Sequence, residues 1–128
     1  MTERTLRAVV VALGAFHLAL GLLALLAPGT FFDQIGHYGD ENLHYVGDVG
    51  AFTAGYGAAL LLAARRPSWW APLFALGALW YALHALNHAF DTDEAGSDFR
   101  GWLDTILIGA GAAVFAWLAS ACSRLERG

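Results

Sequence analysis

The chain has 128 residues, 58% of them hydrophobic and 14% charged, with a mean hydropathy of +0.51 and a formal net charge of -4. This composition lies outside the range of a soluble domain and fits a small integral membrane protein. No glycine-rich nucleotide loop, serine-nucleophile motif or basic nucleic-acid surface is present, and a single cysteine, Cys122, permits neither an intramolecular disulfide nor a cysteine-rich metal centre.

Four apolar runs follow one another, at residues 6–27, 44–64, 69–90 and 101–121. Each has about 20 residues, enough at about 1.5 Å per residue to cross a hydrocarbon core about 30 Å thick. The first run superficially resembles a signal peptide. Its spanning length, and the end Leu25-Leu26-Ala27-Pro28 without a small-x-small site, read instead as an uncleaved span stopped by Pro28-Gly29. In the following loop, Phe31, Phe32 and Ile35 are expected either to lie on the headgroups as a short amphipathic helix or to fold over the helices. His37 and Tyr38 are expected to be solvated. The predicted fold is all-α, a single up-down-up-down transmembrane four-helix bundle.

All seven basic residues are arginines. Arg4 and Arg7 precede the first run, Arg65 and Arg66 separate the second from the third, and Arg124 and Arg127 follow the fourth. The positive-inside rule makes these segments, and therefore both termini, cytoplasmic. The other two loops are acidic, through Asp33, Asp40 and Glu41, and through Asp91, Asp93, Glu94 and Asp98 against Arg100 alone. Trp69, Trp70 and Trp102 fit interfacial anchors. Recurring Gly14 and Gly21, Gly47, Gly50 and Gly57, and Gly109 and Gly111 predict closely packed helices.

Ionisable residues at the ends of these runs are the candidate site. On the helical ruler, His84 and His88 stand about 22 and 28 Å above the cytoplasmic end of the third span, Asp48 and His44 about 24 and 30 Å up the second, and Asp104 about 26 Å up the fourth. Residues four apart share a helix face, so His44 and Asp48, and His84 and His88, each form a pair of ligand-type side chains. Asn87 and Asp91 extend the third-span stripe. Charged groups in hydrocarbon are costly and usually mark a pathway or a site.

One reading is a divalent transition metal, with His44, His84 and His88 as nitrogen ligands and Asp48 or Asp104 supplying a carboxylate. The other aspartate is then an orienting group or a general base on metal-bound water. Zinc, iron, manganese and copper all suit such donors. An open coordination position suits hydrolysis or oxidation of a lipid-like substrate; a closed one suits storage or sensing. A metal-free polar network, an Arg100–Asp104 ion pair and incidental interfacial placement are the alternatives within this site. Two other function classes stay open: haem or quinone redox, with His44 and His88 as rim-level axial ligands, and a non-enzymatic accessory subunit docking a membrane-protein partner. His17, deeper at about 16 Å, is expected to be neutral and hydrogen-bonded to a neighbouring helix.

The segment Asn42-x-His44-x-x-x-Asp48-Val49-Gly50, together with His84-Ala85-Leu86-Asn87-His88, resembles an uncharacterised group of small four-span membrane proteins of high-GC bacteria. The resemblance implies the span count and carries no activity. A looser likeness, in site type alone, is to membrane hydrolases that hold zinc between helices with histidines and an aspartate.

Overall fold

A computed structural model describes residues 1–36 and 38–126. His37 and Arg127, both read in the sequence, lie outside the described residues. The architecture is all-α. The helices are α1 (Glu3–Leu26), α2 (Pro28–Gln34), α3 (Leu43–Ala63), α4 (Trp70–Phe90) and α5 (Asp98–Glu126), with short 3-10 turns at Pro67–Trp69 and Thr92–Ala95. Four of the apolar segments are long and apolar enough to cross a membrane. The chain divides into two compact units, Met1–Pro67 and Ser68–Gly128, and each is described by itself.

The helix ends follow local chemistry. Thr2 caps α1 by accepting the Thr5 amide, and Asn42 caps α3 by accepting the Tyr45 amide, each satisfying one of the orphan donors of a first turn. The α1 helix starts three residues before the first apolar run, because Glu3 and Arg7 continue it as an exposed i,i+4 ion pair of 2.8 Å. Pro28 ends the run and begins α2 at its first helical position. The segment after α1 forms a short helix, with Phe31 and Phe32 half-buried and Ile35 exposed. Between α4 and α5, Gly96 at φ +80 supplies the left-handed residue that closes the 3-10 turn.

In the first unit, α1 and α3 form an antiparallel pair held by two glycine contacts. A Cβ on Gly14 would stand 3.1 Å from the Gly57 carbonyl oxygen, and one on Gly21 would stand 2.7 Å from the Gly50 carbonyl oxygen and would fall on the Ala54 amide. Both helices space these glycines seven residues apart, so the same register serves both crossings. The buried stripe of α1, from Leu6 through Val10, Gly14, His17 and Gly21 to Ala24, repeats at steps of three or four residues, as a helix seam requires.

The second unit pairs α4 with α5 around aromatic side chains, with Gly111 making room for the Tyr81 ring: an added Cβ there would stand 2.6 Å from its Cδ1. The Phe115 ring lies 5.9 Å from that of Phe74 and 5.1 Å from that of Tyr81, distances of ordinary aromatic packing. Trp70 is 1% exposed and belongs to this seam with Phe74 and Gly77, whereas Trp69 is 46% exposed. Only Trp69 of this pair has the exposure expected of an interfacial anchor. The reason is angular: Trp70 shares a helix face with Phe74, one turn on.

Large apolar side chains, including Phe16, Leu62, Leu79, Leu83, Ile106, Leu107 and Trp117, remain exposed along the helices. In water such surfaces aggregate or mark an interface; in hydrocarbon they are the solvated face. Hydroxyls are satisfied within their own helices: Thr53 Oγ1 donates to the Val49 carbonyl at 2.7 Å and Thr105 Oγ1 to the Gly101 carbonyl at 2.8 Å. This back-bonding meets the requirement that polar groups in an apolar medium find internal partners.

Candidate functional site

In the first unit the structure brings His44 and Asp48 together. Both occupy the first two turns of α3 after the Asn42 cap, and Nε2 of His44 lies 3.6 Å from Oδ2 of Asp48. That separation is too long for a hydrogen bond and marks a loose pair. The His44 side chain is 91% exposed and that of Asp48 69%, so protein packing does not hold them in place.

In the second unit His84 and His88 stack edge-on, with ring centroids 4.6 Å apart and an interplanar angle of 77°. Their four-residue spacing on the last turns of α4 produces this contact. His84 is exposed and His88 half-buried, with its Nδ1 fully covered. The carboxylates of Asp104 and Asp91 act on the His88 ring through space, the first from α5 and the second from the residue that caps α4. Asp104 is also engaged by Arg100, whose Nε stands 3.9 Å from its Oδ2. The i,i+4 ion pair foreseen as the duller role of Asp104 is therefore present, at the outer limit of such contacts.

The five candidate residues are thus distributed as His44 and Asp48 in one unit and His84, His88 and Asp104 in the other. Among the described residues, no group of three or more histidines, cysteines, aspartates or glutamates stands in a metal-holding arrangement. What the fold supplies is a two-imidazole pair with carboxylates in electrostatic range. Imidazole nitrogens are donors of the type that zinc, copper, iron and manganese accept.

His17 is 1% exposed, and its Nδ1 lies 2.8 Å from the Leu13 carbonyl oxygen of the same helix. A carbonyl only accepts, so Nδ1 carries the proton in this contact. This bond runs within α1, and the neighbouring helix α3 contributes the ring of Tyr56, edge-on at 5.3 Å. His17 belongs to the helix seam between Gly14 and Gly21.

A cleft of about 500 Å³, which no sequence motif singled out, opens between the start of α4 and the end of α5, lined by Ala71, Ala75, Ala119, Ser120, Ser123 and Arg124 among others. Its residues come from opposite ends of the second unit's sequence, and only the pairing of the two helices joins them. Ser120 and Ser123 beside Arg124 at the end of an apolar run were the available signal.

The chain matches no protein-family model, no curated protein and no solved structure. Its class rests on its own fold: a small all-helical protein with four helices able to span a membrane.

Proposed function

We propose that the chain is a multi-pass protein of the cell membrane, both termini cytoplasmic, that binds a divalent transition metal at the outer end of its second helical hairpin. His84 and His88 are the nitrogen donors. The observation that supports this reading is their edge-on contact at 4.6 Å, with the carboxylates of Asp104 and Asp91 within Coulomb range of His88. Two protein nitrogens leave coordination positions open, which suits a metal that polarises or delivers a bound water to a lipid-like substrate. In that chemistry Asp104 would be the base that takes the water's proton. Asp48 with His44 is the corresponding carboxylate–imidazole pair of the first hairpin.

The deciding experiment is titration of the purified, metal-stripped protein with zinc, copper, iron and manganese, followed by elemental analysis after desalting. Stoichiometric retention that is lost in His84→Ala and His88→Ala supports the reading. Retention equal in wild type and both variants, or none with any of the metals, removes it. Loss in His44→Ala as well assigns the first-hairpin pair to the same centre.

A second reading, a metal-free polar network, is favoured by the Arg100–Asp104 contact. There Arg100 holds the aspartate in place of a metal, and the histidine pair takes up and releases protons at the membrane surface.

A further inference from the structure

We propose that the cleft between the start of α4 and the end of α5 binds an anionic phospholipid whose headgroup carries hydroxyls, of the phosphatidylglycerol kind, with Arg124 on the phosphate. The proposal is independent of the metal reading and concerns the opposite end of the same hairpin. At about 500 Å³, the cleft falls within the range of small-molecule sites, roughly 300–1,000 Å³.

The lining divides by chemistry. Ala71, Ala75 and Ala119 present methyl groups, and Ser120, Ser123 and Arg124 present polar atoms. Both helices reach their ends here: α4 begins at Trp70 and Arg124 lies in the last turn of α5. The neighbouring Trp69 is 46% exposed, as an aromatic at the headgroup level should be. An arginine on this boundary meets phosphates and matches them with its planar fork of N–H donors. Basic pockets between spanning helices are the recurring form of anionic-headgroup sites.

The serines narrow the headgroup. Ser120 Oγ donates to the Ala116 carbonyl at 3.0 Å, and Ser123 Oγ donates to the Ala119 carbonyl at 3.1 Å. Each hydroxyl has spent its one proton, so what it offers the cleft is lone pairs. Lone pairs do not hold phosphate oxygens; they accept from a donor. A glycerol headgroup supplies O–H donors beside its phosphate and carries net negative charge toward Arg124. A choline headgroup supplies no such donor and brings a second cation to the arginine.

Native mass spectrometry of the full-length protein in detergent tests this, by titrating dioleoyl-phosphatidylglycerol against dioleoyl-phosphatidylcholine with inorganic phosphate as a third arm. Wild type should retain phosphatidylglycerol in preference to phosphatidylcholine, and millimolar phosphate should not displace it. Arg124→Gln should lower that preference about tenfold, the worth of a charge-assisted hydrogen bond. Ala75→Leu, which fills the cleft from an exposed position without altering charge, should lower it comparably. Arg4→Gln, removing an exposed arginine elsewhere, should leave it unchanged. Equal retention of the two lipids, wild-type preference in either cleft variant, an equal loss in Arg4→Gln, or displacement by free phosphate would each overturn the proposal.

Discussion

Gly57 of α3 lies so close to Leu18 of α1 that a Cβ on the glycine would fall on the leucine's backbone nitrogen. The neighbouring atoms are main chain, which has no rotamer by which to withdraw, so this crossing tolerates no side chain.

Gly57→Ala and Gly21→Ala should therefore destabilise the first hairpin by about 1–3 kcal/mol, the usual penalty of overpacking. Gly47 and Gly55 sit on the same helix with nothing within 4 Å of an added Cβ. There alanine should be neutral or stabilise by up to about 1 kcal/mol through helix propensity. Thermal unfolding in detergent separates the two classes, and indistinguishable melting points would refute the packing register.

Orientation is testable with single cysteines in a Cys122→Ala background. A cysteine at Asp93, which is exposed, should react with an impermeant maleimide on intact cells; one at Arg65, also exposed, should react only after permeabilisation. Ala95 lies in the same loop as Asp93 but is 3% exposed and makes a poor reporter. The reverse labelling pattern would place both termini outside.

Imidazole ligands coordinate only when neutral, so metal retention should fall as the medium is acidified and recover on return to neutrality. The sign follows from proton competition: each proton bound to His84 or His88 removes a donor. Retention that acidification leaves unchanged until the protein unfolds would exclude a histidine-dominated centre. A Soret band in the purified protein would favour haem over a simple metal ion.

Arg100 should offset the attraction that Asp104 exerts on a cation held at His84 and His88. Arg100→Gln is expected to tighten metal binding while changing stability by less than about 1 kcal/mol, because the pair is long and partly exposed. If the variant binds metal no better, while Asp104→Asn also leaves affinity unaltered, Asp104 belongs to the ion pair alone.

His17→Ala should cost about 1–3 kcal/mol of hairpin stability, by emptying a buried position and removing the contact with Tyr56. Metal retention should be unaffected. Loss of metal at wild-type stability would instead link His17 to the rim.

By itself the sequence determined every feature set within one segment. Apolar runs of spanning length specify the four long helices, Pro28-Gly29 specifies the first break, and i,i+4 spacing brings His44 to Asp48, His84 to His88 and Arg100 to Asp104. These relationships are periodic in one helix and need no knowledge of its neighbours. Tertiary structure decided what depends on helix rotation and register. It put Trp70 in the seam and left Trp69 exposed, matched Gly14 to Gly57 and Gly21 to Gly50, brought the Asp104 carboxylate into range of His88, and joined Ala71 and Ala75 to Ser120, Ser123 and Arg124 in one cleft. Depth along a helix is countable at about 1.5 Å per residue, whereas its rotation is set by which partner its small and aromatic side chains fit.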